Sequence, residues 1–155
     1  MTNLFDHPAD ALHTAIDAAT TNVANGGGPF GAVIVFPNGR SYTGVNRVTA
    51  TNDPTAHAEI QAIRNACSAE NGFNLEGAVL YTSCEPCPMC LGAALWARVD
   101  KVIYAADRFD AADAGFDDAA FYQLLDQGDV AQALATGRLL EPFNAWRAKT
   151  DRTAY

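Results

Sequence analysis

The side chains that could do chemistry together lie in two short segments, His57-Ala58-Glu59 and Pro86-Cys87-Pro88-Met89-Cys90. Zinc in a catalytic site takes three protein ligands and leaves a fourth position for water, and a mixed set of cysteine and histidine suits this ion. His57, Cys87 and Cys90 would supply the three ligands. Glu59 then remains as a carboxylate that can carry the protons of the zinc-bound water. The two segments therefore predict hydrolysis at a single zinc ion.

Cys84 leaves a second interpretation of the site open. A C-x-x-C pair can also be a redox pair or half of a structural zinc site. With Cys84 added, the three predicted ligands would form a closed Cys3His site. Against this, Cys84 lies before the turn at Pro86, at the end of a predicted strand, and a closed site would leave Glu59 without a role. We therefore expect the open, catalytic arrangement.

The charge balance favours a small uncharged substrate over a nucleic acid. The 155 residues include 18 acidic and 10 basic ones, which gives a formal net charge of -8 at pH 7. Proteins that bind polynucleotides neutralise phosphates with lysine and arginine, and this chain has few. Its length predicts a single domain over residues 1–155, and it contains no apolar run that could span a bilayer and no recognisable leader. We expect a cytoplasmic protein with reduced cysteines and no membrane partner.

Hydrophobic periodicity predicts an α/β architecture. Apolar residues at helical spacing predict three helices. The first covers 10–25, with Leu12, Ile16, Ala19 and Val23, and the third covers 87–97. The second begins at Ala56, has His57 and Glu59 in its first turn and continues with Ile60, Ile63 and Cys67. Apolar, β-branched runs predict strands at 30–36, 41–45, 78–82 and 101–105. The strand, helix and strand between 78 and 105 should form a parallel crossover. The result is a three-layer α/β/α sandwich around a mixed, roughly five-stranded sheet.

Several local features refine this prediction. Gly31 and Gly44 interrupt their strands and predict places where another element approaches the backbone closely. Residues 46–55 are polar and predict a loop. Cys87 and Cys90 would share one helix face, at a helix N-terminus that favours thiolates. Towards the end of the chain, 119–125 and 142–149 predict helices, whereas 128–141 permits either a helix or a fifth strand.

Longer segments resemble the guanine deaminases of the cytidine/deoxycytidylate deaminase-like zinc-dependent family. These segments are NDPTAHAE at 52–59, YTSCEPCPMC at 81–90, AGFDD at 114–118 and PFNAWR at 142–147. The H-x-E and P-C-x-x-C signature is common to zinc-dependent nucleobase deaminases, so it identifies only the superfamily. The Gly-Phe-Asp-Asp segment and the aromatic tail are narrower marks. The resemblance runs over nearly the whole chain and implies a cytidine-deaminase-like fold.

The resemblance implies the conversion of guanine and water to xanthine and ammonia, with a zinc-bound hydroxide as nucleophile and Glu59 as proton shuttle. Asp118 would be a second catalytic residue that binds the guanine amino edge. The substrate contacts implied are Phe30, Asn46, Ala58, Trp96, Phe116 and Tyr155. From the residues alone, Asn46 could equally end a strand, Phe30 could be part of the core, and Asp118 could be a helix N-cap.

The resemblance also implies a homodimer with one Zn2+ per subunit. In it, the C-terminal helix and tail, 142–155, would cover the partner subunit's active site, and Tyr155 would cap a stacked purine. A frayed terminus is the simpler interpretation of the tail. Other activities stay open at this point: deamination of guanosine, cytosine, an aminotriazine or tRNA adenosine, or a zinc-stabilised binding module without enzymatic activity.

Overall fold

A computed structural model describes residues 3–127, 130–134 and 136–154. The chain divides into two compact units, Met1–Asp118 and Ala119–Tyr155. Among the residues described, every helix is too short or too polar to cross a lipid bilayer. The first unit contains the sheet and both predicted zinc-binding segments.

Four strands form one mixed sheet in the first unit. They are β1 (Gly31–Val35), β2 (Ser41–Val45), β3 (Val79–Cys84) and β4 (Lys101–Ala106), in the order β2-β1-β3-β4. β1 pairs antiparallel with β2 and β3, whereas β3 pairs parallel with β4. The parallel pair confirms the predicted crossover between 78 and 105. Every residue of β1 and of β3 is buried, as the continuous apolar runs predict for central strands.

Helices cover both faces of the sheet and confirm the three-layer sandwich. The helices of this unit are α1 (Pro8–Ala24), α2 (Val48–Thr51), α3 (Ala58–Glu70), α4 (Pro88–Trp96) and α5 (Arg108–Asp113), preceded by a 3-10 turn at Leu4–Asp6. Alternate strand residues point to opposite faces. Val33, Val35 and Tyr81 pack with α1, whereas Ala32, Ile34 and Leu80 pack with α3 and α4.

Gly31 and Gly44 allow helices to rest directly on strand backbone, as predicted. A Cβ atom at Gly31 would lie 2.2 Å from the main-chain oxygen of Ala15 in α1. One at Gly44 would lie 2.3 Å from both the main-chain oxygen of Ala58 and the main-chain nitrogen of Ala62 in α3. The two glycines therefore fix how closely α1 and α3 approach the sheet.

This close packing changes which helix residues are buried. Of the stripe predicted for α1, Ala19 is buried and Leu12 packs against the core, whereas Ile16 and Val23 are exposed. All buried positions of α1 are alanines: Ala11, Ala15 and Ala19. In α3 the buried apolar positions are likewise Ala58, Ala62 and Ala66, while Ile63 and Cys67 pack at the margin of the core. Small residues occupy these positions because a larger side chain would hold the helix away from the glycine beneath it.

The expectations for two segments differ from the structure. The predicted loop 46–55 contains the short helix α2. The segment 128–141 could not be assigned to a helix or a strand from sequence, and Gly128, Asp129 and Ala135 lie outside the described residues. Its described residues 130–134 and 136–140 form neither helix nor strand. The described sheet therefore has four strands instead of about five. Val130, Leu134 and Leu139 are spaced by four and five residues, which does not match the alternation of a strand.

The second unit contains α6 (Ala119–Gln127) and α7 (Glu141–Ala148). Both helices match predictions from the sequence to within two residues. Neither buries any residue, although each carries large apolar side chains: Phe121, Leu124, Leu125, Phe143 and Trp146.

Candidate metal centre

Two helix N-termini bring the predicted ligands together. His57 is the N-cap of α3 and Cys87 is the N-cap of α4, both with extended backbone, and Cys90 lies in the first turn of α4. Both helices begin one or two residues later than predicted. Pro88 occupies the first position of α4, where its missing N–H leaves no hydrogen bond unmade. The C-x-x-C spacing thus places both sulfurs at one helix end.

The three donor atoms have the separation that a single zinc ion requires. The sulfurs of Cys87 and Cys90 each lie 3.6 Å from Nδ1 of His57, and all three ligand atoms lie within 4.8 Å of one another. A tetrahedral zinc with Zn–S bonds of about 2.3 Å and a Zn–N bond of about 2.0 to 2.1 Å separates sulfur from nitrogen by about 3.5 to 3.6 Å. The arrangement therefore fits zinc in both distance and donor type.

The electrostatics of the cluster already favour one thiolate without the metal. A hydrogen bond from the Cys90 thiol, with a further contribution from the His57 ring, lowers the pKa of Cys87 to about 4. The same hydrogen bond, together with burial, raises the pKa of Cys90. The hydrogen bond with Cys87 raises the pKa of His57. A binding metal ion would displace the shared protons, because its ligands must be deprotonated.

Glu59 places a buried carboxylate against this cluster. Its side chain is only 6% exposed. Oε2 lies 3.4 Å from the sulfur of Cys90, and Oε1 lies 3.4 Å from the hydroxyl of Thr82. Burial is the main cause that raises the pKa of Glu59. A carboxylate with a raised pKa beside a metal site is a suitable group for transferring protons near neutral pH.

Cys84 lies outside the ligand cluster. Among the residues described, the metal-binding group consists of His57, Cys87 and Cys90. The thiol of Cys84 instead points at the main-chain oxygen of Asp107, 3.7 Å away. Burial raises the pKa of Cys84 to about 11, so it remains a thiol at neutral pH. This placement favours the open three-ligand site over a closed one.

Three of the residues expected to contact a substrate, and Asp118, lie in the first unit in different surroundings. Phe30 and Phe116 form an edge-to-face pair with ring centroids 5.0 Å apart, in the wall of an apolar groove of about 680 Å3. The main-chain nitrogen of Asn46 donates to the oxygen of Phe30 at 3.1 Å. Asp118 is half-buried, and its pKa is raised by burial and then by the negative charge of Cys87, which indicates proximity to the metal centre.

The remaining three expected contacts differ from one another. Ala58 is buried beside His57 at the start of α3. Trp96 is 67% exposed at the opposite end of α4, six residues beyond Cys90 and so about 9 Å along the helix axis. The structure does not bring Trp96 to the metal centre of its own chain. Tyr155 lies outside the described residues.

Thr82 contacts the metal centre but had no role in the sequence analysis. Besides its contact with Glu59, its hydroxyl donates to the main-chain oxygen of Cys84 at 2.7 Å and lies 3.4 Å from the nitrogen of that residue. A signal was present in the sequence, since Thr82 and Ser83 are the polar residues of an otherwise apolar buried strand.

Comparison with known proteins agrees with this geometry. The profile of the cytidine and deoxycytidylate deaminase zinc-binding region matches residues 7–106. The chain is 47% identical to guanine deaminase from Bacillus subtilis over 150 residues, which covers 93% of this chain and 96% of that protein. It is 42% identical to the tRNA-specific adenosine deaminase from Bacillus subtilis over 96 residues, which covers 61% of this chain and 59% of that protein.

A solved structure extends the likeness to three dimensions. The X-ray structure of guanine deaminase from Bacillus subtilis superposes with a TM-score of 0.89 at 46% sequence identity, covering 94% of this chain and 97% of that one. The profile includes all three zinc ligands and Glu59, and the structural match extends over nearly the full length. The chain therefore belongs to the cytidine and deoxycytidylate deaminase zinc-binding family.

Proposed function

We propose that this chain is a zinc-dependent guanine deaminase. The observation that carries the proposal is the extent of the likeness: 93% of the chain aligns with the guanine deaminase, but only 61% with the tRNA-specific adenosine deaminase. The net charge of -8 also disfavours a polynucleotide substrate. The proposed reaction converts guanine and water to xanthine and ammonia.

His57, Cys87 and Cys90 would hold the zinc ion. When bound, the ion acidifies water and so makes a strong nucleophile available at neutral pH. The carboxylate of Glu59 accepts the proton that water loses as its oxygen bonds to the carbon bearing the exocyclic amine. Glu59 then delivers this proton to the amine nitrogen while the carbon–nitrogen bond breaks and ammonia leaves. The contact of its Oε2 with the sulfur of Cys90, 3.4 Å away, supports this role.

Main-chain and amide groups of the expected contact residues suit a purine base. The amide oxygen of Asn46 accepts the N–H of Val48 at 3.2 Å, which leaves the amide NH2 to donate to a ring acceptor. The N–H of Ala58 lies at the start of α3, where helix N–H groups have no partner within the helix, and would donate to the guanine oxygen. Asp118 would accept from the amino edge of the base. Phe30 and Phe116 would flank the flat ring.

We further propose a homodimer in which the tail completes the partner subunit's site. Large apolar side chains on both helices of the second unit are exposed, and Leu95 and Trp96 of α4 are exposed as well. Exposed apolar area of this kind is typical of an interface. Trp96 lies far from the metal centre of its own chain, so it would contact substrate only in a second copy. Tyr155 would cap the purine and exclude water there.

A reducing compartment fits the thiol chemistry of the site. Cys67 and Cys84 are free thiols, and two further thiols must stay reduced to bind zinc. We therefore propose that the protein works in the cytoplasm.

A substrate panel tests the proposed activity. Zinc-loaded protein is incubated with guanine, guanosine, cytosine, an aminotriazine and a tRNA anticodon stem-loop, and ammonia release is measured. We expect guanine to react fastest. Faster release from the stem-loop would instead support the tRNA adenosine deaminase alternative, and release from guanosine but not guanine would show a nucleoside deaminase.

A variant of Glu59 tests the proton transfer separately from the metal. Glu59→Gln has nearly the same size and cannot accept the proton. We expect it to retain stoichiometric zinc and a folded structure while losing at least about two to four orders of magnitude in turnover. Near-normal turnover would remove Glu59 from the mechanism, and loss of zinc would mean that the carboxylate mainly supports the metal site.

A further inference from the structure

The side chain of Asn22, in the last turns of α1, joins three separate parts of the first unit. Its amide nitrogen donates to the main-chain oxygen of Gly28 at 2.8 Å and to the main-chain oxygen of Asn46 at 2.9 Å. Its own main-chain oxygen accepts the N–H of Gly27, also at 2.8 Å. One half-buried residue thus ties α1 to the loop before β1 and to the residue that follows β2.

The two segments that Asn22 holds carry two of the expected purine contacts. Phe30 directly precedes β1 and Asn46 directly follows β2, so the two residues lie side by side at one end of this antiparallel pair. The N–H of Asn46 donates to the oxygen of Phe30. A Cβ atom on Gly28 would lie only 3.2 Å from the amide carbon and oxygen of Asn46. The absence of a Cβ at Gly28 therefore leaves room for the Asn46 side chain, while the bond from Asn22 holds the main-chain oxygen of Asn46.

We propose that Asn22 is a positioning residue for substrate binding, which acts by fixing Asn46 against the Gly28–Phe30 loop. The inference rests on the proposed function, since it takes Asn46 as a contact of the purine. Asparagine suits the role because one side-chain nitrogen supplies two N–H donors to two carbonyl oxygens. Aspartate has the same shape but, when ionised, only acceptors, so it would face both carbonyl oxygens without a proton to share.

The principal test compares Asn22→Asp and Asn22→Ala with a matched control, Asn25→Asp. Asn25 is exposed at the C-terminal end of the same helix, and its side chain makes no hydrogen bond within the described residues. Because misplacement of a binding group by about 1 Å can cost about a hundredfold, we expect kcat/KM for guanine to fall by about ten- to a hundredfold in the Asn22 variants. The loss should fall mainly on KM, with zinc content unchanged. The control should stay within roughly twofold of the wild type.

Thermal unfolding of each variant distinguishes positioning from general support of the fold. A purely structural role would lower the unfolding temperature and the active fraction, and so kcat, while KM stayed constant. Asn22→Ala removes both N–H donors without adding a charge, and it serves as the test variant if Asn22→Asp does not fold. Unchanged KM in every folded Asn22 variant would overturn the inference.

A double-mutant cycle with Asn46→Ala shows whether Asn22 acts through Asn46. If it does, the Asn22 substitution should change kcat/KM by less than about twofold once the Asn46 amide is absent, because interacting residues are not additive. A clear loss for Asn46→Ala with additive effects in the double variant would refute the positioning role of Asn22 but leave the substrate contact intact. Unchanged kinetics for Asn46→Ala would refute the contact and the inference together, while guanine turnover by the wild type would still support the proposed activity.

Discussion

Gly44 offers a direct test of how the sheet holds the metal centre. It lies in β2 under the first turn of α3, which begins directly after His57 and contains Glu59. In Gly44→Ala, the new Cβ would lie 2.3 Å from both the oxygen of Ala58 and the nitrogen of Ala62. Both are main-chain atoms, which cannot move aside by a change of rotamer. The helix as a whole has to shift.

The size of the shift follows from these distances. Ordinary van der Waals contact begins at 3.4 Å, so α3 or β2 must move by about 1.1 Å, the difference between 3.4 and 2.3 Å. Overpacking of this kind costs about 1 to 3 kcal/mol of the free energy of unfolding. Ligand distances in zinc sites lie within about 0.2 Å of their usual values, so a movement of about 1.1 Å is large for the site. We therefore expect zinc affinity to fall at least about tenfold, the lower range seen when groups that orient metal ligands are removed.

Two measurements separate the effects of this substitution. Urea unfolding of the metal-free protein gives the stability loss, and competition with a chromophoric chelator gives the zinc affinity of the folded protein. Gly72→Ala is the matched control at the other end of α3, because its Cβ would meet nothing closer than the oxygen of Glu70 at 3.9 Å. We expect the control to stay within about 0.5 kcal/mol of the wild type. Wild-type stability and zinc affinity in Gly44→Ala would refute the argument that this contact positions α3.

Three further outcomes are expected. Cys84→Ser should keep stoichiometric zinc, whereas Cys90→Ser should lose it, and metal analysis of the purified variants decides between an open and a closed site. Because burial raises the pKa of Glu59, the folded metal-free protein binds that proton more tightly than the unfolded chain. Its stability should therefore fall as pH rises from the ordinary glutamate pKa of about 4.3 through the raised value. Urea unfolding should show a smaller fall in Glu59→Gln, and equal pH profiles would contradict this. Deletion of Tyr155 should lower guanine turnover more than the unfolding temperature, and an unaffected rate would exclude the proposed cap.

The zinc ligands could be predicted from sequence because their geometry is local. Two cysteines three residues apart at a helix start must lie at the same helix end, and Pro88 marks that start. Glu59 follows His57 by two residues, so a helix beginning between them carries the carboxylate to the ligands. Only the distance between α3 and α4, which lie on the same face of the sheet, had to come from the structure.

The packing of the helices could be predicted only in part. Hydrophobic periodicity gives weight to large side chains, so it selected Ile16 and Val23 in α1, both of which are exposed. The actual contact with Gly31 uses Ala15, which the predicted stripe lacked, and Ala19, which it contained; the absence of side-chain volume is what matters there. The glycines in the strands were the useful signal, but a sequence does not say which helix will rest on which glycine. That pairing depends on the order of strands in the sheet.

The second unit shows a different limit of prediction from sequence. Phe121, Leu124 and Leu125 lie on one face of α6, and Phe143 and Trp146 lie three residues apart in α7, so both helices could be predicted from their periodicity. None of these side chains is buried. Periodicity shows which face of a helix is apolar, but the surface that covers this face is determined by residues distant in sequence or by another molecule. A role for the tail in a partner subunit's site therefore has to be tested through the oligomer. Turnover of the wild type and of the Tyr155 deletion is compared above and below the dissociation constant of the dimer. If Tyr155 acts on the partner subunit, the difference in turnover between the two proteins should disappear in the diluted samples.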